Sequence, residues 1–366
     1  MSPAKKPAAK PSARKGKSAI SGKIQTVLGP IEPKDFGITM THEHLLIDLT
    51  CYMQMPDEAS ERYYWDKPLT MDMLGTIGKR WMANRDINLL LDEKIAIEEA
   101  LKYKYAGGQS VVDTTSIGIA RDPLALARIS RATGLNVVMG ASHYVPVSYP
   151  ADMDSRTEDQ ITEYIVRDVT TGVGDTGVKA GVIGEIGNFW PTSETERRVL
   201  RASARAQTET GAPILIHPGF HDDSLPSIMN DLEKAGADMS QVVMGHLDGV
   251  RNLDAIREIA ERGCFIEFDV FGAEDSIWGF VAHQEIWVPS DVQRMENLEN
   301  IIEMGYLDRI LIAQDVCFKT GWTRYGGKGF AHILENIVPR MRKRGWTEKQ
   351  IHAVLVDNPA RAFTFK

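Results

Sequence analysis

From residue 23 onward, short runs of apolar residues alternate with segments whose apolar positions recur at helical spacing, the pattern of a parallel α/β fold. Eight runs read as strands: GITMTHEHLLID (37–48), SVVDTT (110–115), NVVMG (136–140), GVIGEIG (181–187), PILIHPG (213–219), QVVMGHL (241–247), CFIEFDV (264–270) and RILIAQD (309–315). Several are nearly continuous Val, Ile and Leu, as strands buried on both faces require. Helices are expected over 92–106, 193–210, 225–235, 253–262, 292–304 and 329–343. The segment 193–210 opens with Ser193 and Glu196 at capping-box spacing, and it ends before Gly211. There is no repeat of fixed period and no interdomain linker, so residues 23–366 read as one (β/α)8 barrel, a TIM barrel, with its site at the C-terminal ends of the strands.

Two connections are long for such a barrel. Residues 49–91 follow the first strand and carry Tyr52, Tyr63, Tyr64, Trp65 and Trp81. Residues 271–291 follow the seventh and carry Trp278, Phe280 and Trp287. Loops on this face roof the active site, so the aromatic residues are expected either to shape a substrate pocket or to pack on the barrel rim.

The chemistry lies where apolar runs end. His42 and His44 stand at i and i+2 in the first strand and so share a face, with Glu43 turned the other way in a structural role. His217 closes PILIH, His246 closes VVMGH, Asp315 closes ILIAQD, and Glu185 sits in GVIGEIG between small residues. Each alone could be a hydrogen-bonded core residue. Together they supply the donors of a two-metal centre, with Glu185 able to give one oxygen to each ion. Neutral imidazoles and carboxylates suit Zn, Mn, Co or Fe rather than a calcium cage. His143 and Tyr144, at the end of the third strand, are candidate substrate contacts, and His221 is a candidate for the mouth. His283, His332 and His352 read as surface or helix residues. Lys319, Arg324 and Lys328 follow the last strand and could meet an anionic substrate.

Composition narrows the partners. The net charge of −8 combines a +6 arm, residues 1–22, with a body of −14. An acidic body argues against nucleic acid as a partner. The arm, rich in Lys, Ala, Pro and Ser, reads as disordered and lacks the apolar region of a signal peptide. No stretch approaches the ~18 apolar residues of a membrane span. Three cysteines without paired spacing, Cys51, Cys264 and Cys317, suit a reducing compartment, so the chain is expected to be cytoplasmic.

LGPIEPKDFGITMTHEHLLID resembles the opening of the phosphotriesterase family of the amidohydrolase superfamily, and DNPARAF resembles its closing helix. GEIGNFWPTSETERRVLRA, ILIHPG, AGADMSQVVMGHLD, YGGKGFAHIL and TFK are most similar to the phosphotriesterase-related branch. The resemblance implies that His42, His44 and Asp315 hold one ion, that His217 and His246 hold the other, and that Glu185 stands where many members bridge with a carboxylated lysine. Tyr144 matches a tyrosine of the family's lactonases, whereas Val270 stands where many of those carry arginine. The implied reaction is hydrolysis of a carboxylic ester, a lactone or a small N-acyl amide such as N-acetyltaurine, with phosphotriester hydrolysis as the alternative. A hydroxide between the two metals is the expected nucleophile, with Asp315 orienting it and taking its proton and with His246 or Asp315 relaying a proton to the leaving group. A metal-stabilised barrel that binds a ligand without turnover is the reading from another class. The expected partner is a small molecule, and the expected assembly is a homodimer.

Overall fold

The computed structural model describes residues 20–366 apart from 78–80, 251, 275–276 and 282–283. Most of the expected basic arm, His283, and the side chains of Trp81, Trp278 and Phe280 lie outside the described residues.

Eight strands form one parallel sheet in chain order: β1 (Thr39–Glu43), β2 (Ser110–Asp113), β3 (Asn136–Ala141), β4 (Val182–Gly187), β5 (Ile214–His217), β6 (Val242–Met244), β7 (Phe265–Phe268) and β8 (Ile310–Ile312). Each lies within an expected run, except that β3 runs one residue further, to Ala141. β1 and β8 meet through Thr41 Oγ1 donating to the Ile312 carbonyl (3.3 Å) and Asp315 N donating to the His42 carbonyl (3.2 Å), which brings the sheet nearly to a closed barrel.

Strand alternation sorts the side chains. Val112, Val138, Val182, Leu215, Val243, Phe265 and Leu311, one from each of β2 to β8, make an interior layer plugged from below by Ile24, Phe36 and Phe363. Their neighbours Val111, Val137, Ile183, Ile214, Val242, Ile266 and Ile310 face outward into the larger core under the helices. The inward parity continues up each strand. Leu215 is followed two residues on by His217, Phe265 by Glu267 and then Asp269, and Leu311 by Ala313 and then Asp315. The layer that fills the barrel therefore also dictates which side chains crown it.

The surrounding helices are α1 (Glu93–Tyr105), α2 (Pro123–Thr133), α3 (Glu158–Thr170), α4 (Glu194–Thr210), α5 (Ser224–Lys234), α6 (Leu253–Glu261), α7 (Asp291–Glu303) and α8 (Val338–Lys343). The capping box expected at Ser193 and Glu196 is made, and Gly211 closes α4 in the left-handed region (φ 75°). Two helices, α2 and α3, are additions to the expected set. Both carry start signals: Asp122 caps α2 with Pro123 at its first position, and Thr157 with Gln160 forms a capping box on α3. The expected helix over 329–343 is instead a wide π turn, Ile333–Ile337, followed by α8. Pro339 enters there without the backbone donor that a regular α turn needs.

The long connection after β1 is pinned at its ends, because Ile47–Asp48 pairs antiparallel with Leu89–Leu90. Leu69 and Ile87 from this connection pack with Val288 from the loop after β7, against Tyr52, Tyr64, Phe189, Phe220 and Phe318. The two long loops thus meet over the mouth of the barrel.

Candidate metal centre

His42 and His44 from β1, Glu185 from β4, His217 from β5, His246 after β6 and Asp315 after β8 converge in one buried cluster. Glu185 lies at its middle. Its Oε1 is 3.2 Å from His44 Nε2, and its Oε2 is 3.0 Å from His217 Nδ1, 3.5 Å from His246 Nε2 and 3.6 Å from His42 Nε2. Asp315 Oδ1 stands 3.2 Å from His44 Nε2 and 3.9 Å from His42 Nε2. One carboxylate oxygen therefore faces His44, and the other faces His217, His246 and His42.

The outer partners of the imidazoles set which nitrogen faces inward. His44 Nδ1 is held by Thr115 Oγ1 at 2.8 Å, and His246 Nδ1 by Asp269 Oδ1 at 2.8 Å. His42 Nδ1 lies 3.2 Å from both Glu267 Oε2 and Asp269 Oδ2. Each of these rings is left with Nε2 toward the centre, the arrangement by which outer hydrogen bonds orient metal-ligating histidines. His217 is reversed and presents Nδ1. Glu267 and Asp269 were not singled out from the sequence, although their i, i+2 spacing above Phe265 marks both as inward-facing.

The donor set fits divalent metal ions. His42 Nε2 and Asp315 Oδ1 are buried and make no hydrogen bond. His246 Nε2 lies 2.7 Å from His217 Nδ1, and two bare lone pairs cannot face each other at that distance. A proton or a cation must stand between them. Burial alone would raise the Glu185 pKa, but the imidazoles of His217, His246 and His42 around it hold it well below the usual carboxylate range. Burial would lower His44, yet the neighbouring carboxylates of Asp315 and Glu185 outweigh it and push the imidazole up to about 9 in metal-free protein. A metal entering at His44 therefore competes with a proton.

Two of the six residues are held in strained backbone. His246 and Asp315 have φ of 53° and 46°, a region disfavoured for residues other than glycine. Glu43 secures the second. Its carboxylate straddles Asp315, accepting from Gln314 N at 2.9 Å and Val316 N at 3.0 Å, which matches the structural role expected of it.

Above the cluster lies a pocket that opens to solvent. His217, His246 and Asp315 form its floor. Leu49, Tyr52, Tyr144, Phe220, Val270, Trp287, Val288 and Phe318 make a largely apolar wall, and no Lys or Arg lines it among the described residues. Tyr144 stands against His217 with ring centroids 5.0 Å apart and its Oη 3.5 Å from Nδ1.

The other expected substrate contacts sit elsewhere. His143 is buried behind the wall against Tyr149 and Tyr164, where burial and then the nearby Arg156 and Arg121 push its pKa down to about 3. With Tyr144 facing the cavity, alternation turns its neighbour outward. Lys319 is paired with Asp86 at 2.5 Å and Arg324 with Glu98 at 3.6 Å, so neither is presented to a ligand in the cavity. Lys328 also lies outside the lining. His221 stacks on Trp190 (centroids 5.5 Å apart) in a second recess that shares Phe220, His246 and Trp287 with the first. His332, expected at the surface or on a helix, is buried with its Nε2 2.7 Å from Asp291, whereas His352 is exposed beside Asp357.

Known proteins resemble this chain in sequence and fold. The model of the phosphotriesterase family matches residues 22–363. The N-acetyltaurine hydrolase of Salmo salar is 40% identical over 95% of this chain and 100% of its own length. A resiniferatoxin-binding protein from Rhodobacter sphaeroides, solved by crystallography, superimposes with a TM-score of 0.90 at 35% identity, covering 95% of this chain and 97% of that one. A lactonase from Listeria monocytogenes gives 0.76 at 25% identity, over 94% and 99%. Matched to the family model from residue 22 to residue 363 and aligned along the whole length of its relatives, the chain belongs to the phosphotriesterase family.

Proposed function

We propose that the chain is a two-metal hydrolase that cleaves small N-acyl amides, with carboxylic esters and lactones as further substrates of the same centre. The observation that carries this reading is Glu185, whose Oε1 faces His44 and whose Oε2 faces His217, His246 and His42. His42, His44 and Asp315 would hold one ion and His217 with His246 the other, zinc being the best match to this donor set. Two such ions, when bound, supply Lewis acidity and an acidified water.

The chain's own residues do the rest. Asp315, on the cavity floor, accepts a proton and passes it toward the departing amine or alcohol. His246, fixed by Asp269 through both its backbone N and Nδ1, stays aimed at the floor as charge develops. Tyr144 places its hydroxyl beside His217, where it contacts the acyl group, and the apolar wall receives that group and keeps bulk water away. Lys319 and Arg324 take no part, because Asp86 and Glu98 already engage them.

The relatives favour amide over phosphotriester hydrolysis, since the N-acetyltaurine hydrolase aligns along its whole length. The resiniferatoxin-binding relative keeps a ligand-binding role in view. Among the described residues, no helix is long and apolar enough to cross a membrane. Cys51, Cys264 and Cys317 are all unpaired, which supports a reducing, cytoplasmic setting. A homodimer is the expected assembly for a barrel of this size.

A hydrolysis screen on zinc- and manganese-loaded enzyme tests the reading, using N-acetyltaurine, N-acyl amino acids, lactones, aryl esters and aryl phosphotriesters. The expected outcome is a kcat/KM for an N-acyl amide at least about tenfold above that for any phosphotriester, a preference of about 1.4 kcal/mol in transition-state binding. Preferred phosphotriester cleavage, or no turnover with both metals bound, overturns it.

A further inference from the structure

His246 is an unusual ligand candidate because its backbone lies in the left-handed region (φ 53°), a conformation that persists only where the surroundings impose it. Asp269 imposes it. One carboxylate oxygen accepts from His246 N at 2.8 Å, and the other takes His246 Nδ1 at 2.8 Å. Asp269 is held in turn, because its backbone N donates to Asp248 Oδ2 at 2.9 Å. The other oxygen of Asp248 accepts from Arg294 Nε at 2.6 Å. Arg294, on α7, is fully buried, and its Nη1 reaches the Ala273 carbonyl at 2.8 Å and Asp291 Oδ1 at 2.9 Å. One planar guanidinium thus ties the residue after β6 to the start of the loop after β7, the loop that brings Trp287 and Val288 to the cavity wall.

We propose that Arg294 is a positioning residue for the His217 and His246 half of the centre, acting through Asp248 and Asp269 to hold His246 in its ligating orientation. This rests on the two-metal reading above. A guanidinium suits the task because its fork serves Asp248 and Asp291 at once, which a lysine ammonium on a flexible stem cannot reproduce with the same geometry. Loss of the cation leaves Asp248 as a buried charge without its partner, and the carboxylate is then free to release the Asp269 amide. The error passes to His246, where a small change in ring direction weakens metal binding.

Zinc titration against a competing chelator tests this in the full-length protein, with thermal unfolding measured in parallel. The wild type should bind two zinc ions; if it binds none, the two-metal reading fails, which is a separate result. Arg294→Met is expected to weaken one of the two zinc sites by about 10- to 100-fold, the usual effect of disturbing the partners of a metal ligand. Arg121→Met is the control, since it breaks another buried pair, Arg121 with Asp168 at 2.7 Å, away from the centre. It should lower the unfolding temperature while both zinc affinities stay at the wild-type values. If Arg294→Met does not fold, the same comparison is made with Arg294→Lys, which is expected to weaken the one site by about tenfold. The proposal is overturned if the Arg294 variant unfolds earlier, as the control does, yet keeps both zinc sites at wild-type affinity.

Discussion

Glu185→Ala protein is expected to lose at least one of its two metal ions and more than about 100-fold in hydrolysis, beyond the 10- to 100-fold typical of residues that only support a ligand. The reason is the position of this carboxylate. It reaches four imidazoles, with Oε1 toward His44 and Oε2 toward His217, His246 and His42. Its removal takes away a ligand from each side and the negative charge between two cations. Glu185→Asp, shorter by one methylene, cannot span the same gap and should recover one ion at most. Metal content and kcat measured on the same preparations check both expectations. Wild-type metal content in Glu185→Ala would remove the bridge from the account.

Asp315→Asn is expected to lower kcat by about 10²- to 10⁴-fold, the usual contribution of a positioned acid–base group, while part of the bound metal is retained. The substitution isolates the chemistry from the backbone. Asn tolerates the left-handed conformation nearly as well as Asp, so the φ of 46° at this position brings no new strain. Glu43 grips the flanking Gln314 and Val316 amides and is untouched by the change. What is lost is the carboxylate's capacity to take a proton on the cavity floor. Turnover at the wild-type rate with both metals in place would show that another group accepts it.

Much of this was legible in the sequence because a closed parallel barrel writes its order plainly. Strands buried on both faces become unbroken apolar runs, and polar residues that end such runs have nowhere to go but the rim. His217, His246 and Asp315 were visible in this way, and His42, His44 and Glu185 through the i, i+2 spacing of the histidines and the small residues around the glutamate. Glu267 and Asp269 were hidden by the opposite circumstance. They lie within CFIEFDV rather than terminating it, and only the parity set by Phe265 shows that they point inward. Parity also separates Tyr144, which lines the cavity, from His143, which does not. Lys319 and Arg324 show another limit. A basic residue after the last strand looks available until the fold supplies its acid, and Asp86 and Glu98 come from distant parts of the chain. The helices α2 and α3 carry their start signals in Asp122-Pro123 and in Thr157 with Gln160.

Glu185 stands where it would join the six ligands into one two-metal centre. The most direct test is the metal content of the purified wild-type chain by inductively coupled plasma mass spectrometry, after growth with added zinc or manganese. Two divalent ions per chain are expected, both removed together with hydrolytic activity by a strong chelator and both restored on reloading. A content of one or none, unchanged by metal supplementation, would contradict it.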